Sequence, residues 1–325
     1  MFGKMLQQAA AQPVAHYVRH RLFSSMPKPY AWESRQLVTK SSILAVQSDL
    51  AGTIIQPYCR PPLVALDRVF RQCGVVLTTE QLTGPMGKSK PEHIHELVKE
   101  LNLKVNEKEV VLAFEAELDN IIGDDTELTP FASEFIQFTQ QHGIKFAGTT
   151  GYFKKAADKA VKELNGLHSL DALIAADEIP NSTRSKLLIA NMIKLGYLPE
   201  NMHQVAFFTD AQSDAISVRT PTNPSHTPFI IGVADCSTHN NIVSKSEEQK
   251  ISPAELLKRR EHTTSLLYKG GAHLVIPNLS FGPLALVSIC RAISKGFLPA
   301  NLERIELCNP VDETPESPQQ TSCRR

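Results

Sequence analysis

The stretch "SILAVQSDLAGT" (residues 42–53) decides the fold class. An apolar run that ends on an acid, followed by a loop of small residues, predicts a buried strand with Asp49 at its carboxyl end. Similar runs follow as "IKFAGTT" (144–150), "ALIAADEIP" (172–180), "QVAFFTD" (204–210) and "PFIIGVA" (228–234). Helical patterns separate these runs. Strands that alternate with helices predict an α/β fold with a parallel sheet and right-handed crossovers.

Four polar residues stand at or next to the predicted strand ends. Ligands of such sheets bind beyond the carboxyl ends of the strands, where Asp49, Thr150 and Asp210 would converge. Asp214 would lie one turn into the following helix. Carboxylates suit Mg²⁺, which usually also takes phosphate oxygens, and a carboxylate can itself attack phosphorus. Thr149 or Thr150 would bind a phosphate oxygen. For any single acid the alternative is a loop cap.

The segment between the first two strands has a helical pattern throughout. We call residues 57–126 the helical insertion and expect it to cover the site. The core is predicted over 41–56 and 127–300. Residues 1–40 are predicted to be flexible, and the polar, Pro- and Ser-rich tail 309–325 to be disordered.

One lysine in the helical insertion occupies an unusual position. In "PMGKSKPEH" (85–93), Ser89 and Glu92 have the spacing of a capping box, and Pro91 fits a first helical turn. Lys90 therefore lies at a helix start, where the helix dipole favours a neutral amine. A neutral amine is a nucleophile for carbonyl groups. The alternative is an ordinary solvent-facing lysine.

Composition excludes some functions and leaves the compartment open. Lys and Arg together number 34, as do Asp and Glu, so the net charge of zero argues against a nucleic-acid surface. No apolar run reaches the roughly 18 residues of a membrane span. The six cysteines are scattered, which is typical of reduced thiols inside cells. We expect a cytoplasmic protein; because the first 32 residues lack Asp and Glu, the alternative is a mitochondrial presequence.

Three of these phrases resemble sequence motifs of a known superfamily. "DLAGT" (49–53), "TTGY" (149–152) and "DAQSD" (210–214) resemble motifs one, two and four of the haloacid dehalogenase superfamily. That superfamily uses an Asp nucleophile and Mg²⁺ in a Rossmann-like core. Its phosphatases usually have a second Asp two residues after the nucleophile, where this chain has Ala51. Together with "PMGKSKPEH" (85–93), this departure resembles phosphonoacetaldehyde hydrolases.

The resemblance implies a fold, a reaction and a set of site residues. The fold would be a haloacid dehalogenase-like core with a parallel sheet and an inserted helical cap. The reaction would cleave the C–P bond of phosphonoacetaldehyde, through a Schiff base on Lys90 and an aspartyl-phosphate on Asp49. The other implied roles are catalytic assistance by Met86, His93, Cys59 and Tyr152, substrate binding by Thr149, Thr150 and Arg184, and Mg²⁺ binding by Asp49, Ala51, Asp210 and Asp214.

The third motif matches less well. "DEIPNSTRSK" (177–186) offers Arg184 or Lys186 as its basic residue, and we predict Arg184 because a guanidinium binds phosphate bidentately. Two alternatives stay open: a hydrolase with the same core but another phosphonate or phosphate ester, and an inactive binding protein. The implied partners are a small phosphonate substrate and, through the caps, a second copy in a homodimer.

Overall fold

Six parallel strands form one sheet in the part of the chain that our computed structural model describes, residues 42–83, 90–122, 127–163 and 170–308. The strands are β1 (Ala45–Asp49), β2 (Lys145–Thr150), β3 (Ala172–Ala175), β4 (Val205–Thr209), β5 (Phe229–Val233) and β6 (Leu274–Ile276). Their order across the sheet is β3-β2-β1-β4-β5-β6. β1 is central, and Asp49 lies beside Thr149 of β2. The predicted α/β class with a parallel sheet is confirmed.

Helices connect the strands and cover the sheet. Those before β2 are α1 (Arg60–Gln72), α2 (Thr79–Thr83), α3 (Lys90–Glu100), α4 (Glu107–Ile121) and α5 (Ala132–Gln141). Those after it are α6 (Lys154–Glu163), α7 (Arg184–Lys194), α8 (Gln212–Arg219), α9 (Lys245–Glu248), α10 (Pro253–Lys269) and α11 (Gly282–Ser294). Helices α1 to α4 lie in the helical insertion; its predicted status as a separate domain stays a prediction.

Both faces of the sheet are buried. Successive side chains of a strand point to opposite faces, and two neighbours in β4 illustrate the result. Phe208 packs against Phe135 of α5, with the ring centroids 4.9 Å apart. Phe207 belongs to a second apolar cluster that includes Leu188 of α7 and Leu267 of α10. Burial on both sides explains why the strand sequences are continuously apolar and do not alternate.

One predicted strand is shorter than expected. The strand predicted over 172–180 ends at Ala175, and a single 3₁₀ turn (Ala176–Glu178) follows. The Glu178 carboxylate accepts a hydrogen bond from the Ala175 N–H at 2.8 Å, which stabilises the turn. The predicted flexible segment 1–40 and the tail 309–325 lie outside the described residues. None of the helices in the described ranges is long and apolar enough to cross a membrane.

Candidate active site

Two carboxyl groups meet at the carboxyl edge of the sheet. Asp49 ends β1, and Asp210 directly follows the neighbouring strand β4. Burial raises the pKa of Asp49 to about 7, although the nearby Arg184 guanidinium lowers it. Burial, and then the charge of Asp49, raise the pKa of Asp210 well above its ordinary value. Burial therefore disfavours the charged form of both acids, and a bound cation would offset this cost.

The loop after β1 is folded tightly against Asp210. The Leu50 carbonyl accepts hydrogen bonds from three successive N–H groups, those of residues 53–55. The Thr53 hydroxyl donates to Oδ1 of Asp210 and accepts from the Asp210 N–H, both at 3.0 Å. Gly52 has φ +84°, and a Cβ there would lie 2.5 Å from Asp210 Oδ2. Only glycine fits this close approach.

Arg184 links the neighbouring motifs. It is the first residue of α7, and its Nη2 lies 3.0 Å from Asp49 Oδ1 and 2.7 Å from Asp214 Oδ2. Its Nη1 donates to the Thr149 hydroxyl at 3.0 Å. The nearby carboxylates raise the pKa of Arg184 despite its burial, so the guanidinium remains charged. The structure thus places Arg184 in the site, whereas the exposed Lys186 donates to a backbone carbonyl on the surface.

Lys90 enters the site from the helical insertion. It is the first residue of α3, and its side chain is only 3% exposed. Burial lowers the pKa of Lys90, although the thiol of Cys59 and the carboxyl group of Asp49 raise it in part. A buried lysine with a lowered pKa is a chemically useful amine, since the neutral form is more populated.

One cavity brings most of the predicted residues together. Eight of the twelve line it: Asp49, Ala51, Cys59, Lys90, Thr150, Tyr152, Arg184 and Asp210. Burial raises the pKa of the Cys59 thiol well above its ordinary value, so this cysteine is a neutral neighbour of Lys90. The Thr150 hydroxyl accepts a hydrogen bond from the Tyr152 N–H at 3.1 Å. Cationic groups and carboxyl groups are therefore combined in one small polar space, which suits an anionic substrate.

Known proteins share this architecture. Phosphonoacetaldehyde hydrolases from Bacillus cereus and Bacillus anthracis are 27% identical to the chain over 253 residues, 73% of this chain and 92% of each relative. A phosphonoacetaldehyde hydrolase-like protein from Oleispira antarctica superposes with a TM-score of 0.70 at 20% identity, covering 85% of this chain and 100% of its own. The chain has the haloacid dehalogenase fold. A haloacid dehalogenase-like family hydrolase from Streptococcus pneumoniae gives a TM-score of 0.54 at 14% identity, over 75% and 98% of the two chains. No protein-family profile matches the chain.

These relatives confirm the resemblance to phosphonoacetaldehyde hydrolases that the motifs indicated. Three of the predicted site residues that the structure describes do not line this cavity: Thr149, His93 and Asp214. Thr149 is buried, and its hydroxyl accepts a hydrogen bond from Arg184. The His93 ring is buried in the helical insertion, with Nε2 3.4 Å from the Gln81 carbonyl, and its role in proton transfer stays a prediction. Met86, like the capping residue Ser89, lies outside the described residues.

Asp214 contacts Arg184 and does not line the cavity. Its Oδ2 lies 2.7 Å from Arg184 and accepts a hydrogen bond from the Thr209 hydroxyl at 3.3 Å. Within the described parts of the chain, no three His, Cys, Asp or Glu side chains are grouped closely enough to hold a metal ion. The role of Asp214 at the metal stays a prediction, whereas Asp49 and Asp210 both line the cavity.

The residues of the site fit Mg²⁺. Oδ2 of Asp210 is buried and has no hydrogen-bond partner among the described residues. An unpartnered carboxylate oxygen beside a second buried acid is a suitable ligand for a hard cation. Mg²⁺ needs few protein ligands, because water and substrate oxygens complete its coordination. Asp49, Asp210 and the Ala51 carbonyl would supply the protein part.

Sequence reasoning missed two contributors to the site. Gln56 is buried immediately before the helical insertion and accepts a hydrogen bond from the Tyr152 hydroxyl at 2.5 Å. No pattern links positions 96 residues apart. Thr238 lines the cavity from the segment after β5. The sequence could have indicated Thr238, since this residue follows a predicted strand at the same edge of the sheet as Asp49 and Asp210.

Proposed function

We propose that the chain hydrolyses the C–P bond of phosphonoacetaldehyde, giving acetaldehyde and phosphate. One observation carries the proposal: Lys90 is buried in the same cavity as Asp49, and the position two residues after Asp49 is Ala51. When a phosphate ester is hydrolysed, its alcohol part leaves as an alkoxide, which needs an acid to protonate it. A carbon leaving group needs an electron sink instead, which a lysine can form with an aldehyde. The named relatives support the same substrate.

The first part of the mechanism prepares the carbon. The neutral amine of Lys90 attacks the aldehyde carbon, and loss of water gives a protonated imine. Burial favours the neutral amine before the attack, since it lowers the pKa of Lys90. Nη2 of Arg184 lies 3.0 Å from Oδ1 of Asp49, so the guanidinium would bind the phosphonate oxygens beside that carboxylate.

The second part transfers the phosphoryl group. The Asp49 carboxylate attacks phosphorus, the C–P bond breaks, and its electron pair neutralises the imine to give an enamine on Lys90. Protonation of the enamine carbon and hydrolysis of the imine release acetaldehyde and free Lys90. Water then hydrolyses the aspartyl-phosphate to phosphate. Mg²⁺ held by Asp49, Asp210 and the Ala51 carbonyl would supply charge neutralisation that lets one anion approach another.

The test measures both the cleavage of the C–P bond and the formation of the imine on Lys90. Wild-type protein with phosphonoacetaldehyde and MgCl₂ should release acetaldehyde, and borohydride should trap the substrate-derived group on Lys90, located by peptide mass spectrometry. Lys90→Arg should abolish trapping and turnover, and Asp49→Asn should abolish turnover while the imine still forms. Lys99→Arg is the matched control, because Lys99 is an exposed lysine of the same helix.

Two results would contradict the proposal. A folded wild-type protein that hydrolyses phosphate esters and not phosphonoacetaldehyde would be a haloacid dehalogenase-like hydrolase with another substrate. A protein that binds phosphonates without turning any over would be a binding protein. Trapping on a lysine other than Lys90 would disprove the assignment of the imine.

A further inference from the structure

The segment after β5 holds Asp210 and the start of α8 in place. The Ser237 hydroxyl donates a hydrogen bond to the Asp210 backbone carbonyl at 2.7 Å. Nε2 of His239 accepts a hydrogen bond from the Gln212 N–H at 3.0 Å. Thr238 lies between Ser237 and His239 in the chain and lines the cavity together with Asp210. The segment is therefore fitted around the fourth motif, although no motif marked it in the sequence.

The Thr238 side chain has an unused hydroxyl in the candidate active site. The residue is 1% exposed, and it lines the cavity together with Asp49, Lys90 and Arg184. Oγ1 has no hydrogen-bond partner among the described residues. Burying a hydroxyl without a partner costs free energy, and such groups in native proteins usually have a functional reason.

The hydroxyl is also held rigidly. The Asn240 amide donates to the carbonyls of Ala234 and Asp235 at 2.7 and 3.1 Å. Its carbonyl oxygen accepts from the Thr263 hydroxyl of α10 at 2.7 Å. These bonds hold the backbone of the turn that carries Thr238, whose side chain lines the cavity. A rigidly placed donor binds at a lower entropic cost than a mobile one.

We propose that Thr238 is a binding residue of this site and donates its hydroxyl hydrogen to an oxygen atom of the bound ligand. Two sources offer such an oxygen: the phosphoryl group that reaches Asp49, or water on the divalent cation between Asp49 and Asp210. The identity of the organic substrate rests on the proposed function, but the hydrogen bond does not, because both sources are common to phosphoryl-group chemistry.

The experiment measures binding without turnover. Isothermal titration calorimetry with MgCl₂ alone, and with inorganic phosphate at saturating MgCl₂, is compared for wild type and Thr238→Val, which keeps the shape and removes the hydroxyl. Thr227→Val is the matched control, because Thr227 is also buried and does not line the cavity. We expect Thr238→Val to weaken at least one affinity about ten-fold, as loss of a hydrogen bond to a charged ligand does.

The two titrations separate the sources. Weaker MgCl₂ binding in the absence of phosphate identifies water on the cation, whereas a change confined to phosphate identifies the phosphoryl oxygen. Unchanged affinities in a folded Thr238→Val protein would disprove the inference. Thr238→Ser retains the hydroxyl and should bind like wild type, so a loss in the serine variant would also disprove it. If phosphonoacetaldehyde is not turned over while the phosphate arm behaves as expected, the proposed function fails and this inference stands.

Discussion

Lys90 shows how position alone can make an ordinary side chain reactive. As the first residue of α3, it lies in the positive field of a helix N-terminus, and it is buried in the cavity. Both features disfavour the ammonium form, and burial is the main reason that the pKa of Lys90 falls below its ordinary value of 10.5. Cys59, and then the carboxyl group of Asp49, oppose this shift in part.

A pH profile tests the lowered pKa of Lys90. In the proposed mechanism only the neutral amine attacks the aldehyde, so kcat/KM should rise with pH through a midpoint below pH 10.5. The phosphonate group also titrates, so the control is borohydride trapping with acetaldehyde, which lacks that group and should show the same acid limb. A midpoint at or above pH 10.5 in the acetaldehyde profile would mean that Lys90 behaves as an exposed lysine.

Ala51 offers a test of leaving-group chemistry. Replacing it with Asp adds a carboxyl group beside Asp49 and Asp210, whose own raised pKa values indicate that a new acid there would be protonated. We predict that Ala51→Asp raises hydrolysis of β-glycerophosphate about ten-fold or more, since its alkoxide leaving group needs a proton. Turnover of phosphonoacetaldehyde should not rise.

Ala51→Asn is the matched control for this substitution. Asparagine has nearly the shape of aspartic acid but no acidic proton, so its ester hydrolysis should stay at the wild-type level. Equal rates for the Asp and Asn variants would show that the missing acid is not what distinguishes this site from a phosphatase.

At the scale of elements, the entry to the helical insertion is unusually strained. Gln56, Tyr58 and Cys59 have φ of 52°, 67° and 49°, in the left-handed region that non-glycine residues rarely adopt. Long-range contacts hold the segment: the Gln56 bond to Tyr152, and a hydrogen bond of 2.7 Å from the Tyr58 hydroxyl to Glu248 of α9. Strain that persists next to an active site is typical of functional segments.

This segment also shows the limit of sequence reasoning. Strand periodicity and the strand-end rule were enough to bring Asp49, Thr150 and Asp210 to one edge, and a capping pattern was enough to start a helix at Lys90. Each of those signals is local. The bond from Tyr152 to Gln56 and the left-handed backbone without glycine have no local signal, because tertiary contacts alone impose them.

A similar backbone position gives a stability prediction. Phe131, which immediately precedes α5, has φ 66° and a side chain that is 40% exposed. Glycine has no Cβ to clash in this conformation. We predict that Phe131→Gly is more stable to urea than Phe131→Ala by about 1 kcal/mol, because both lose the ring and only glycine loses the Cβ. An alanine variant at least as stable as the glycine variant would show that the position is not strained.

At the scale of the whole molecule, the buried acids of the site lower the stability of the ligand-free fold. Asp49 and Asp210 are buried side by side at the centre of the sheet, and burial is the main reason that both pKa values are raised; the charge of Asp49 adds to the effect on Asp210. Unfolding exposes both groups to water and removes this penalty. A ligand that binds only the folded site and neutralises the pair should therefore stabilise the entire fold.

Thermal unfolding with MgCl₂ tests this coupling between site and fold. At a concentration one hundred times its Kd, Mg²⁺ should add about 2.7 kcal/mol to the free energy of unfolding and raise the wild-type midpoint by roughly 5 °C or more. Asp210→Asn should raise the midpoint without Mg²⁺, because it removes an acid whose ionisation burial disfavours in the folded state, and it should cancel the response to Mg²⁺.

The variant Asp214→Asn tests whether Asp214 is a metal ligand or only a partner of Arg184. Its carboxylate contacts Arg184 at 2.7 Å, so its loss should lower the midpoint by leaving Arg184 with less charge compensation, yet the upward shift with Mg²⁺ should remain. Loss of that shift in Asp214→Asn would show that Asp214 is a metal ligand. An equal shift in wild type and Asp210→Asn would instead show that Mg²⁺ acts elsewhere on the molecule, and the pairing of Asp49 with Asp210 would then need another explanation.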